Sequence, residues 1–137
     1  MMNEMRLKQT TFYALWALRD IYLDKNKVLT SNLIAEKENI SQGVLLRTLR
    51  MLSRKGILEA HQGRGNICGG FSLNKSIDDI TLLEVIEATD GDLNIYQKAG
   101  FLAEDKDGPP QQALDMINQN IRNELVKYSI RDFFDLS

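Results

Sequence analysis

The sequence predicts a mainly α-helical protein that carries one small β-hairpin and ends in a long C-terminal helix. Three observations predict it. Apolar residues recur at helical spacing across residues 7–22. A leucine-spaced helix over residues 41–55 is followed by two short strand-like runs around a stretch with four glycines in eight residues, 63–70. Finally, Leu114, Ile117, Ile121, Leu125 and Tyr128 repeat at a three-and-four spacing that keeps one apolar seam in line. At 137 residues, 43% apolar and 26% charged, the chain suits one ordinary domain or two small ones.

In the first helix, Leu7, Thr11, Ala14, Leu15, Leu18, Ile21 and Tyr22 form the core face, and Phe12 and Trp16 widen it. No glycine or proline interrupts residues 6–24, and the polar turn Asp24-Lys25-Asn26-Lys27 ends the helix. Val28-Leu29 is short enough for an edge strand. Thr30 or Ser31 then caps a short helix through Lys37, because a hydroxyl satisfies the free amides of a first turn. Asn39 tolerates the left-handed conformation in which such a helix stops.

Ser41 opens the next helix, and Gly56 follows Lys55 where a left-handed residue is wanted. Leu45, Leu49 and Leu52 face the core with Val44 and Thr48 beside them, while Arg47, Arg50 and Arg54 form a cationic stripe on the other side. Residues 57–62 and 71–73 read as strands, with residues 63–70 as the hairpin tip. Helix, turn, helix and hairpin in this order outline a winged helix-turn-helix. Beyond it, Thr81 and Glu84 form a capping box for a short apolar helix closed by Asp90-Gly91. A polar loop over 97–110 ends in Pro109-Pro110, which suits the first turn of the long helix. A single long seam on that helix needs a partner surface. Residues 129–132 offer a cap for a last turn with Phe133, Phe134 and Leu136.

The formal charge of −2 conceals an asymmetry. Residues 1–75 hold 12 lysines and arginines against 6 acids, and residues 76–137 hold 5 against 13. The two halves, 1–75 with the helix-turn-helix and hairpin and 76–137 with the remaining helices, are electrostatically different objects. A basic half joined to an acidic half suggests that one end meets a polyanion. No apolar run is long enough for a bilayer and no signal core opens the chain, so a cytoplasmic protein is expected. One cysteine, Cys68, excludes an internal disulfide and a multi-thiolate metal site within one chain, and one histidine, His61, argues against an all-protein zinc site. No cofactor is expected. No second histidine, phosphate-binding glycine motif or paired carboxylate set points to catalysis.

The binding chemistry is more specific. Were residues 41–55 a recognition helix, with Ser41 at its DNA-binding end, Gln42, Gly43, Leu46 and Arg47 would approach base edges in a major groove, with Arg50, Arg54 and Lys55 nearer phosphates. Three arginines on a helix often serve only solubility. Their place after a tight turn and before a glycine-rich hairpin favours DNA. The hairpin would act as a wing, with Arg64 between two glycines entering the minor groove or tracking the backbone. Cys68 is a possible redox-sensitive thiol, although most lone cysteines are bystanders.

Together these residues resemble a family. Met5-Arg6-Leu7 with Tyr13-Ala14-Leu15, Leu33-Ile34-Ala35-Glu36, Ile40-Ser41 with Leu45, Leu49 through Gly56-Ile57-Leu58, Gly69-Gly70-Phe71-Ser72-Leu73 and Ile80-Thr81-Leu82 with Val85-Ile86 are similar to the Rrf-two family of bacterial winged-helix regulators. The resemblance covers nearly the whole chain and is strongest over residues 5–91. It implies a DNA-binding head over 1–75, a helical linker and dimerisation region over 76–137, and a homodimer whose long helices cross through Leu114, Ile117, Ile121, Leu125 and Tyr128, with two heads on a palindromic promoter site. Three departures stand out. Cluster-binding members carry three cysteines before the dimerisation helix, and residues 92–112 have none. Leu46 is apolar where members often carry a charged or amide residue. The wing is about three residues longer than the usual glycine-proline-glycine pattern implied by the resemblance.

The expected protein is thus a dimeric, sequence-specific DNA-binding transcriptional repressor without an iron–sulfur cluster. The alternatives are a thiol-responsive or partner-controlled regulator acting through Cys68 or a bound protein, and a winged-helix module that binds protein instead of DNA. A small-molecule or protein effector is left unspecified.

Overall fold

The computed structural model describes residues 8–63, 68–91 and 111–136, without the side chain of Cys68. The opening Met5-Arg6-Leu7, the hairpin tip with Arg64, and the expected loop with Pro109-Pro110 lie outside the described residues. Helix α1 (Gln9–Leu23) is followed by β1 (Val28–Leu29), α2 (Ser31–Glu38), α3 (Gln42–Arg54), β2 (Leu58–Gln62), β3 (Cys68–Leu73), α4 (Leu82–Asp90), α5 (Gln111–Val126) and α6 (Ile130–Phe134).

Helix α1 buries Ala14, Leu15, Ala17, Leu18 and Ile21 completely, as its periodicity requires. Phe12 departs from expectation: it is an exposed residue that leans toward the Trp16 ring on the outer side, not part of the core face. The helix stops where Asp24 turns extended and its Oδ2 accepts the Asn26 amide at 2.9 Å. Thr30 caps α2 by accepting from the Leu33 amide, and Asn39 ends it at φ 57. Beyond the wing, Thr81 and Glu84 close a capping box on α4, and Ser129 and Asp132 another on α6.

The sheet is antiparallel in the order β1-β3-β2, with Val28 opposite Ser72 and Leu58 opposite Leu73. Strand β3 starts at Cys68, earlier than the expected Phe71, so Gly69 and Gly70 belong to the strand and not to the tip. The cause is close approach to neighbours. A Cβ on Gly69 would lie 2.9 Å from the Gln62 carbonyl oxygen, and one on Gly70, at φ +112, 2.9 Å from Val28 Cγ1.

One core joins these elements. Leu15, Leu18 and Ile21 of α1 meet Ile34 of α2, Leu45, Leu49 and Leu52 of α3, Phe71 of β3, Ile77, Ile80, Val85 and Ile86 around α4, and Ile130 of α6. Residues on both sides of position 75 therefore share it. The C-terminal segment runs back beside α4: the Leu82 amide donates to the Tyr128 carbonyl and the Ile130 amide to the Ile80 carbonyl, both at 2.9 Å. Among the described residues, no helix is long and apolar enough to cross a membrane.

Candidate nucleic-acid interface

Helix α3 carries the expected face. Ser41 stands at its N-cap without a side-chain capping bond, and no acid occupies the first turn, so that end keeps its positive dipole uncompensated by a local carboxylate. Three fully buried leucines, Leu45, Leu49 and Leu52, hold the opposite face, each stabilising the packing by about 1.5–3 kcal/mol. At the other end the Ile57 amide donates to the Leu52 carbonyl and the Gly56 amide to the Ser53 carbonyl, both at 3.0 Å. Gly56 supplies the φ of +78 that this closure needs.

Ser41, Gln42, Gly43, Arg47, Arg50, Arg54 and Lys55 are exposed. A Cβ on Gly43 would meet nothing within 4 Å, so the glycine leaves bare backbone at the start of the helix. Two side chains differ from expectation. Gln42 Nε2 donates to Ser31 Oγ at 3.2 Å, which turns its amide back toward α2. Leu46 is half-buried against the core instead of lying wholly on the open face. Sequence periodicity missed both because the neighbours responsible come from other segments.

The cations of the described residues divide by their partners, and Lys8, Lys25 and Lys27 are, like those of α3, without a carboxylate. Arg19, Lys37, Lys75, Arg122, Lys127 and Arg131 each contact a carboxylate. Among the described residues, no ion pair involves Arg47, Arg50, Arg54 or Lys55. The three arginines, at i, i+3 and i+7, thus present one strip of uncompensated positive charge.

The wing stands beside α3. A bulge between His61 and Gln62 twists its outer end, where Gln62 pairs with Cys68 through the backbone. His61 Nε2 and Ser72 Oγ are 2.7 Å apart across the two strands. The proposed contact from Arg64 and the thiol of Cys68 lie outside what is described.

The expected seam on α5 is only partly satisfied within the chain. No residue of α5 is fully buried. Leu125 packs against the core. Leu114 and Ile121 are half-covered, and Ile117 and Tyr128 are 47% and 45% exposed. Arg122 on α5 bonds Glu87 on α4 and fixes the helix to the body.

Comparison with known proteins fits this geometry. The Rrf2 family, by description iron-dependent transcriptional regulators, matches residues 7–135. A Bacillus subtilis protein named for a helix-turn-helix transcriptional regulator, YwgB, is 31% identical over 96 residues, covering 70% of this chain and 60% of that protein. The transcriptional regulator NsrR of the same organism is 32% identical over 94 residues, covering 68% of this chain and 62% of NsrR. The matched stretches span about half to three-fifths of the first curated relatives. In structure, CymR, the global cysteine regulator of B. subtilis, aligns with a TM-score of 0.73 over 97% of this chain and 98% of its own, at 18% identity, which is a likeness of fold. These relatives are named as regulators. With its winged helix and a match that runs almost end to end, the chain belongs to the Rrf2 family of transcriptional regulators.

Proposed function

We propose that this regulator is a homodimeric, sequence-specific DNA-binding repressor that works without an iron–sulfur cluster. The observation that carries the reading is the cationic strip of α3, where Arg47, Arg50 and Arg54 share one helix with Lys55 at its C-cap and none makes an ion pair among the described residues. Ser41, Gly43 and Arg47 stand at the end of α3 that would enter a major groove, and Arg50, Arg54 and Lys55 lie where phosphates would pass. The apolar residues of α5 that the chain leaves exposed or half-covered, Ile117 with Leu114 and Ile121, support pairing with the same helix of a second copy. A two-fold dimer presents two α3 helices to a palindromic site. Occupying a promoter in this way blocks its use, so repression needs no further activity. Such a protein acts in the cytoplasm, where bacterial promoters are.

The family's iron dependence does not fit this chain's donors. A cluster of the family's kind is held by several thiolates, and Cys68 is the one cysteine of the sequence. Among the described residues, no three histidine, cysteine, aspartate or glutamate side chains form a group able to hold a metal.

The test is footprinting of the purified protein on the promoter of its own gene, repeated across a salt series. Protection of a palindrome, with affinity falling steeply as salt rises, is expected from phosphate neutralisation. Absence of salt-dependent protection overturns the proposal and favours a winged-helix module that binds protein.

A further inference from the structure

Beneath the helix-turn-helix lies a charged cluster that the DNA face does not use. Asp20 of α1 has a side chain wholly buried from solvent. Its Oδ1 is 3.4 Å from Arg19 Nε and 3.4 Å from Lys37 Nζ, while its Oδ2 is buried with no hydrogen-bond donor. The same Arg19 reaches across to α2, where its guanidinium donates to Glu38 Oε2 at 3.1 Å. Its Cζ stands 5.2 Å from the centre of the Phe134 ring on α6. One side chain therefore touches α1, α2 and α6.

Glu38 is the last residue of α2, and only Asn39 and Ile40 separate it from the N-cap of α3. The backbone of this turn is held by the Ile40 amide on the Ala35 carbonyl at 2.9 Å and the Leu45 amide on the Ser41 carbonyl at 3.0 Å. Whatever fixes Glu38 thus fixes the entry to α3. We propose that Arg19 is a positioning residue for the recognition helix, bridging the carboxylates of Asp20 and Glu38 against Phe134 and so holding the turn between α2 and α3.

The chemistry explains why an arginine is needed. Two carboxylates close together, one wholly buried and the other partly exposed, repel, and a guanidinium offers several donors in a planar fork that a lysine cannot match. The nearby Asp20 carboxylate, together with burial, raises the pKa of Glu38, and the Arg19 guanidinium opposes the rise. The neighbouring charges are accounted for. Lys37 of α2 lies on Asp20, and Asp24, Lys25 and Glu36 line the adjoining groove. On α6, Arg131 is engaged with Asp78 and Asp132 with its capping box. The Phe134 ring is what α6 brings to the guanidinium.

The DNA consequence rests on the function proposed above, so the experiment reads the turn and the DNA separately. Arg19→Met, Glu38→Gln and the double variant are compared with the parent by amide hydrogen exchange and by affinity for the footprinted duplex. Arg19→Met leaves two facing carboxylates with one cation; exchange at Ile40 and Leu45 rises at least several-fold, and affinity falls by about 3- to 30-fold. Adding Glu38→Gln replaces one carboxylate by an amide that can donate to Asp20, and both readouts return to within about threefold of the parent. Glu38→Gln alone matches the parent. A role limited to packing on Phe134 would not be rescued by Glu38→Gln, so a double variant as impaired as Arg19→Met overturns the proposal. Unchanged exchange at Ile40 and Leu45 in Arg19→Met overturns it as well. Should Arg19→Met not fold, Arg19→Lys supplies the same ranking at smaller amplitude. If the parent binds no duplex, the function fails while exchange still decides the role of Arg19.

Discussion

Replacing Arg50 and Arg54 by alanine takes charge from α3 without stranding a partner, since neither makes an ion pair among the described residues. Both side chains are exposed, so each variant should keep its stability within about 0.5 kcal/mol. Any change in DNA binding then reports contact and not unfolding. If each arginine neutralises one phosphate, each replacement lowers the slope of log affinity against log salt by about 0.9, and the double variant by about 1.8. Across a fourfold rise in salt, each lost contact removes about 3.5-fold from the salt-induced weakening. The assay is fluorescence anisotropy on the footprinted duplex and on a random one. Both duplexes should show the same loss, because phosphates carry no sequence. Arg47→Ala should instead weaken the specific duplex alone, by about 1 to 3 kcal/mol if it reads a guanine edge. Lys127→Ala, on a residue paired with Glu124, is the control and should leave the slope unchanged. Slopes for the Arg50 and Arg54 variants equal to the parent's would refute the division of roles.

If the protein dimerises as proposed, a carboxylate in the exposed seam, Ile117→Asp, should give a monomer by sedimentation where the parent is a dimer, with the helical spectrum intact; a variant that stays dimeric removes α5 as the interface. Gly70→Ala places a methyl group 2.9 Å from Val28 Cγ1 at φ +112 and should cost about 1 to 3 kcal/mol in thermal unfolding, with a loss below about 0.5 kcal/mol counting against the β1–β3 approach. The Arg131 guanidinium, 2.5 Å from Asp78, holds that carboxyl below its usual range. Because the folded pKa is depressed, the contribution is present above the ordinary carboxylate pKa and disappears as pH falls through the folded one. Asp78→Asn should therefore melt below the parent at neutral pH and converge with it in strong acid, and a gap that persists there would contradict the pairing. Anaerobic purification should give a colourless protein without stoichiometric iron and sulfide; their presence would mean that a dimer shares Cys68 or uses other ligands.

What the sequence discloses about this fold follows the range of the interaction that decides each feature. The capping boxes of Thr81 with Glu84 and Ser129 with Asp132 were readable because cap and partner lie three residues apart. Leu45, Leu49 and Leu52 were readable because one helix sets their spacing. Gly69 and Gly70 read as a turn because the reasons for their lacking a side chain are Gln62 across the hairpin and Val28 on β1. Gln42 is exposed as read, but its bond to Ser31 was not legible because that acceptor belongs to another helix. In the candidate site, the arginine stripe was legible as a pattern, whereas its freedom from carboxylates was not. Arg19 shows the limit most clearly: its partners lie on three elements, and nothing in its immediate sequence separates it from any other helix-surface cation.

The charge asymmetry gains a physical meaning once pairing is known. Excess positive charge in residues 1–75 would serve solubility equally well if it were scattered, but on α3 it is gathered on one face and left uncompensated. Excess negative charge in residues 76–137 has the opposite effect, since the cations there that meet carboxylates, Arg122, Lys127 and Arg131, have little left to offer a polyanion. On the proposed reading, a duplex approaching from the side of α4 to α6 meets repulsion, and one approaching α3 meets attraction. Such a field orients the encounter before any base is read and discourages the wrong face. The acidic half then contributes to binding without touching DNA. Neutralising acids on α4 or α5, for instance with Glu124→Gln, should speed association with random duplex at low salt and lower the ratio of specific to non-specific affinity. An unchanged ratio would mean that the acidic half serves the solubility of the dimer alone.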